Sequence, residues 1–189
     1  MKRRLFIAIN LPEKIKEKVF SIQKKWPELP CRWTKKENLH ITLVFLGYVL
    51  DEKLPEIIEI VKKIVLKNKP FLINFIRIIY GPKGKKIPGM IWLEAEKNFQ
   101  LIKIQKELKE ILEEKILNVE KETRPFSPHL TLARIKQWEL KRMEPEEIPE
   151  INEEISISFE VEKIDLMESH LKPKGSDYYL LESFPLAGK

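Results

Sequence analysis

Apolar residues follow two rhythms along this chain, and the way they take turns sets out a mixed α and β architecture. Arg4-Leu5-Phe6-Ile7-Ala8-Ile9 is a compact apolar run with the length of a buried strand. Pro12 suits the first turn of a helix reaching to about Lys25, with Ile15, Val19 and Ile22 at helical spacing; Pro27 and Pro30 stop it. His40 to Leu46 reads as a strand ending in a turn at Gly47. Asp51 can cap a second helix, to about Asn68, whose Leu54, Ile57, Ile58, Val61, Ile64 and Val65 share one face.

The rhythm then repeats. Phe71–Ile79 and Met90–Leu93 are strand candidates on either side of the basic loop 81–89. Asn98 caps a long helix with Leu101, Ile104, Leu108, Ile111 and Leu112 inward, and Pro125 and Pro128 lead into a strand from His129 to Ala133. Residues 144–154 are acidic and broken by proline, a surface loop or short helix. Ile155, Ile157, Phe159 and Val161 alternate as a half-buried strand, and Tyr178–Phe184 closes the sheet. Each half therefore offers a strand, a helix, and a strand that opens on a histidine, the halves starting near Arg4 and Met90. The expectation is an α+β fold in one domain, residues 1–189, built from two pseudo-symmetric lobes of antiparallel sheet with outer helices around a central cleft.

Composition narrows the class. Charged residues make up 34% of the chain and the net charge is +6, which permits an anionic partner such as RNA without demanding one. Cys31 is the only cysteine, so an intrachain disulfide and a multi-cysteine metal site are both excluded; it reads as a small buried thiol in a reducing compartment. The basic start loses its apolar character at Asn10, too early for a secretory core, and no run reaches the ~18–20 residues of a membrane span. The expected location is cytoplasmic. Abundant Lys, Glu and Ile with few Gln fit a thermophile's habits.

Candidate chemistry sits in two matched frames, His40-Ile41-Thr42-Leu43 and His129-Leu130-Thr131-Leu132. The chain has four threonines, Thr34, Thr42, Thr123 and Thr131, and two of them follow a histidine by two positions. On a strand, residues i and i+2 share a face, so each frame delivers one imidazole and one hydroxyl together and turns its apolar residues to the core. Histidine exchanges protons near neutrality. Two such pairs across a cleft supply a general base, a general acid and two hydroxyl donors, which is what cleavage of a phosphodiester needs. No metal or other cofactor is expected, since two histidines without nearby carboxylate or cysteine ligands make a poor zinc site.

The frames resemble those of the two-histidine (2H) phosphoesterase superfamily and its His-x-Thr-x motif, most of all its bacterial and archaeal RNA 2′,3′-cyclic phosphodiesterase branch, once called 2′-5′ RNA ligase. The similarity runs through Arg4–Pro12, Arg32-Trp33, Glu37–Gly47 and Pro128–Arg134. It implies a bilobal fold and hydrolysis of terminal 2′,3′-cyclic phosphates on RNA, tRNA fragments among them, to 2′-phosphomonoesters. It further implies His40 as proton donor, His129 as proton acceptor, and Thr42, Thr131 and Arg134 as phosphate ligands. The two frames themselves are symmetric and leave acid and base unassigned. Arg134 stands five positions after His129, so strict alternation would aim it away from the cleft; a bulge, twist or strand end would return it.

Other residues carry weaker signals. His170 lacks a frame and is expected in a loop. Lys83, Lys85 and Lys86 read as a solvated loop, with contact to RNA phosphates as the alternative. Trp33, Trp92 and Tyr80 are candidates to stack on a terminal base or to line the cleft wall. Phe6 and Phe45 are expected in the core. Competing functions are the reverse reaction, 2′-5′ ligation, and a non-catalytic module binding RNA ends. The absence of an obvious coiled coil points to a monomer.

Overall fold

The structure, a computed structural model, describes residues 1–85, 87–117, 125–173 and 175–187; Lys86 lies outside them. Nine strands form one antiparallel sheet: β1 (Lys2–Asn10), β2 (Cys31–Trp33), β3 (His40–Leu50), β4 (Phe71–Gly81), β5 (Met90–Ala95), β6 (His129–Ile135), β7 (Asn152–Val161), β8 (Lys163–Lys172) and β9 (Gly175–Pro185). Their order is β7-β4-β5-β6-β3-β1-β8-β9, with the short β2 paired to β6. The two halves are joined at β3 and β6, where the partnered residues are Ile41 and Leu130. Each half thus brings its histidine strand to the seam.

Three helices, α1 (Glu13–Ile22), α2 (Leu54–Val65) and α3 (Phe99–Leu112), carry the apolar stripes. Ile57, Val61 and Ile64 of α2 and Leu101, Ile104 and Leu108 of α3 join Leu5, Ile7 and Ile9 of β1, Ile41 of β3 and Leu130 of β6 in one core that runs through both halves. A separate small cluster of Phe6, Ala8 and Met167, with Tyr178 against it, lies on the alternate positions of β1 and β8. Strand alternation separates the two. One face of the sheet is covered and the other carries the polar residues described below.

Several expectations needed correction. Asp51 does not cap α2: it opens a 3-10 turn, and its carboxylate instead takes the Arg3 Nε–H at 2.9 Å. Asn98 does cap α3, accepting from the Leu101 amide at 2.9 Å. Gly47 is no terminal turn. The strand continues to Leu50, and Gly47, with φ +68, occupies an irregularity in the ladder that a side chain would strain. His170 lies on β8 rather than in a loop, its ring 3.2 Å from Glu168. β8 itself went unpredicted, because its apolar alternation is short: Ile164 and Leu166 are followed by Glu168, and between them Asp165 is buried on the other face against Asn10 at 2.8 Å. Cys31 is only half-buried, with burial still enough to push its thiol up to about 11.

Candidate active site

The two frames fold alike. In β3, Ile41 and Leu43 are buried, as are Leu130 and Leu132 in β6, while His40, Thr42, His129 and Thr131 line one cleft on the opposite face. Both strands then break register at the fourth residue of the frame. Opposite β3, Ile7 pairs with Val44 and Ala8 with Thr42, so Leu43 is an extra residue. Opposite β6, Ile91 pairs with Ala133 and Trp92 with Thr131, so Leu132 is extra. A bulge of this kind shifts the alternation by one. It turns the fifth residue after each histidine, Phe45 and Arg134, back into the cleft, which settles the anomaly at Arg134.

Each bulge carbonyl has a buried glutamine to serve it. The Gln105 amide of α3 donates to the Leu43 carbonyl at 3.3 Å, and the Gln23 amide reaches the Leu132 carbonyl at 3.5 Å while donating to the Thr34 carbonyl at 2.8 Å. The Thr34 backbone N–H adds a 2.8 Å bond to that Leu132 carbonyl. Buried backbone groups rarely stay unpaired, and an irregular ladder needs side chains to pair them. Gln23 and Gln105 were not singled out in the sequence; their amphipathic positions among buried helix residues were the available signal.

The cleft encloses a cavity of about 450 Å³. Beside the frame residues and Phe45 and Arg134, its walls include Arg4, Arg32, Ser169 and Tyr178, and none of its lining residues is a carboxylate. Phe45, expected in the core, is 50% exposed with the Arg4 guanidinium 4.5 Å from its ring centroid. Phe6 is buried as expected, but on the cleft side, its ring 5.0 Å from His40. None of Trp33, Trp92 and Tyr80 lines this cavity: the Tyr80 hydroxyl bonds the Pro149 carbonyl at 2.8 Å, and Trp92 lies flat against His129. Lys83 pairs with Glu94 beside the cleft.

Comparison with known proteins identifies the family and the fold. A family model described as the 2'-5' RNA ligase superfamily matches residues 11–173. The chain belongs to that superfamily. A Methanocaldococcus jannaschii protein named RNA 2',3'-cyclic phosphodiesterase is 35% identical over 96% of this chain and 99% of its own. One of the same name from Archaeoglobus fulgidus is 32% identical, over 96% of this chain and 99% of its own. The crystal structure of TT0787 of Thermus thermophilus superposes with a TM-score of 0.83 at 29% identity, covering 98% of this chain and 99% of that one. In this superfamily member the bilobal antiparallel fold is as expected, and the names of the relatives support a hydrolytic enzyme.

The two histidines share one tautomer but not one environment. His40 Nδ1–H donates to the Asn38 carbonyl at 2.6 Å and His129 Nδ1–H to the Ser127 carbonyl at 2.7 Å, since a carbonyl can only accept. Nε2 of each ring is left for chemistry, that of His40 lying 3.1 Å from the Thr42 hydroxyl. Burial dominates at His40, between Phe6 and the edge of Tyr178; with help from Lys16, His129 and Arg134 it outweighs the Asn38 bond and takes the pKa down to about 4. Burial also lowers His129, but its Ser127 bond and the Glu94 carboxylate oppose this. His129 further stacks on Trp92, centroids 3.8 Å apart at 21°, a contact that favours the imidazolium. That indole is wedged against Gly81, where a Cβ would stand 2.2 Å from Trp92 Cδ2, and its buried Nε1–H has no partner among the described residues. Among the described residues, the hydrogen-bond partner of Thr131 Oγ1 and of Arg134 Nη1 is the weakly accepting Met90 sulfur, at 4.0 and 3.7 Å. Among the described residues, no three His, Cys, Asp or Glu side chains cluster as metal ligands, and no helix is long and apolar enough to cross a membrane.

Proposed function

We propose that this chain hydrolyses the 2′,3′-cyclic phosphate at RNA ends to a 2′-phosphomonoester, using His129 as general base and His40 as general acid. One observation carries the reading: two histidines whose Nδ1 atoms are held by backbone carbonyls, and two threonine hydroxyls, face one cleft with unopposed arginines and no carboxylate. His129 Nε2 takes a proton from water, whose oxygen attacks phosphorus. The P–O3′ bond breaks, and His40 Nε2–H gives its proton to the departing 3′-oxygen. Thr42, Thr131 and Arg134 donate to the phosphoryl oxygens as their charge rises.

The asymmetry of the two rings supports this division of labour. His129, with Glu94 and Trp92 beside it, is the better proton acceptor. His40, more strongly desolvated, gives its proton up more readily once charged. The names borne by the relatives support the substrate, and tRNA fragments with such ends are the form in which it arises. The chain works as one bilobal unit, because both lobes contribute a frame to one cleft and share one core; its action as a monomer in the cytoplasm rests on the sequence alone.

The test is a short RNA with a 2′,3′-cyclic phosphate end, incubated in chelator with the wild type and with His40→Ala and His129→Ala. Wild type alone should yield the 2′-phosphate. Retained hydrolysis in His129→Ala would sink the mechanism, and binding without conversion by a folded wild type would turn the reading to a non-catalytic module.

A further inference from the structure

We propose that Arg32 forms a second phosphate subsite, for the phosphodiester on the 5′ side of the reacting nucleotide; this rests on the RNA-end reading above. Arg32 and Arg134 are direct partners in the β2–β6 ladder, so their side chains leave the sheet on the same face, and both line the cleft. Like charges directly opposite one another repel. Carboxylates normally relieve such a pair, yet neither arginine has one within ion-pair distance among the described residues. The shortage is local and not one of supply: close by, Asp177 holds both Lys35 and Lys172, and across the sheet Arg3 holds Asp51 and Glu168. An anion arriving from solution is the partner this arrangement lacks.

One reacting phosphate does not account for both cations. The cyclic phosphodiester carries a single negative charge, and Thr42, Thr131, Arg134 and the protonated histidine already face it. Arg32 stands across the ladder from Arg134 on the neighbouring strand, about 5 Å away between Cα atoms. Two long side chains set apart by that step can hold neighbouring phosphates of one RNA strand. Arg4, the other unopposed arginine, is less available, since its Nη1 donates to Ser169 Oγ at 2.9 Å and its face lies on Phe45.

Arg32 is also held in place as a binding residue should be. β2 has three residues, too few to be stable alone, and both its ends are tied to the catalytic strand. Lys136 N–H bonds the Pro30 carbonyl at 2.8 Å, and the Thr34 side-chain hydroxyl bonds the Thr131 carbonyl at 2.8 Å. The second bond links the residue after β2 to the backbone of a phosphate-facing threonine. Gly175 stands beside the guanidinium, where a Cβ would come within 3.8 Å of Cζ.

The experiment compares wild type and Arg32→Gln on two substrates with the same terminal base: a nucleoside 2′,3′-cyclic phosphate with a free 5′-hydroxyl, and the dinucleotide that adds one 5′ phosphodiester. Affinities for the matching 2′-phosphate products are measured alongside. Arg32→Gln should raise KM for the dinucleotide about tenfold, the scale of one lost charged hydrogen bond, and weaken the dinucleotide product equally. The nucleoside compounds should change less than twofold. Equal losses on both would place Arg32 at the reacting phosphate and overturn the subsite, as would no loss on either. A wild type that turns over neither substrate counts against the hydrolytic reading alone, because the product-affinity ratio still decides the subsite. Arg32 is exposed, so an unchanged Tm is expected in the variant.

Discussion

At pH 7 an imidazole with a pKa of about 4, as His40 has in the free protein, carries its proton about once in a thousand molecules. Protonating it costs about 4 kcal/mol, three pKa units at 1.36 each. A general acid cannot work at that cost unless the substrate lowers it. An anion about 4 Å away attracts a positive charge by about 4 kcal/mol at the effective dielectric near a protein surface. The two figures match, so the bound phosphate should bring His40 back to a pKa near 7. The enzyme would then take up a proton as it binds substrate. Two measurements check this. With three histidines in the chain, NMR titration can follow each ring, and His40 should titrate near 4 in the free protein and ~2–3 units higher in saturating sulfate, a fully ionised probe. Kinetically, kcat/KM reports the free enzyme and should already fall about tenfold per pH unit at neutral pH, where His129 is neutral and His40 sheds its proton, while kcat should hold to about pH 7. A free His40 titrating at its ordinary value, or one that sulfate leaves unmoved, would refute the reasoning.

Other outcomes follow from the same geometry. Thr131→Val should lower kcat/KM about 10–100-fold at unchanged Tm, since among the described residues the hydroxyl bonds no more than the Met90 sulfur and its loss removes one bond to a charged phosphate; steady-state kinetics and a melting curve separate the two effects. Gly81→Ala forces a Cβ into the Trp92 ring, and overpacking of this kind costs about 1–3 kcal/mol or more, so calorimetry should show a Tm lower by several degrees. The depressed His40 also bears on stability. Between pH 6.5 and about 4 the unfolded chain binds the proton that the folded chain refuses, so stability falls as pH falls, by about 3 kcal/mol in all. Denaturant midpoints at pH 7 and 4.5 should show part of this loss in wild type and less of it in His40→Gln.

Much of the fold and of the site was legible in the sequence because both rest on periodicity. The frames placed His40 and Thr42 on one face and Ile41 on the other by strand alternation alone, and the apolar stripes of α2 and α3 marked their buried sides. What escaped depends on breaks in that periodicity. Phe45 read as core because it sits in an apolar run, and only the extra residue at Leu43 turns it outward. Arg134 was anomalous for the same reason, and the extra residue at Leu132 turns it into the cleft in the same way. Single-sequence patterns carry no mark for a bulge, since the compensating groups, Gln23 and Gln105, stand far away in sequence. Asp51 looked like a cap because the residue type suits one; long-range partners at Arg3 and the N-terminus decided otherwise.

The bulges are thus the device that converts two ordinary strands into a four-walled site, and their support can be tested away from the chemistry. Gln105 is buried on α3 and lines not the cavity between the histidines but an adjoining one, shared with Thr42, Phe45 and His129. Gln105→Met keeps its shape and length but removes the donor to the Leu43 carbonyl. A buried carbonyl left without its partner costs about 1–3 kcal/mol, or about 2–10 °C in Tm for a chain of this size. If the bond serves the bulge, a second effect accompanies the first. The ladder can relax toward regular pairing, which would draw Phe45 toward the core and loosen the cleft on that side, leaving the Arg134 side intact. The exposure of Phe45, followed by a cysteine label at that position, should then fall in Gln105→Met and not in a core variant of equal instability such as Leu108→Ala. Equal label reactivity in the two variants would mean that the bulge holds without its glutamine, and that the register is set by the β1 partner strand alone.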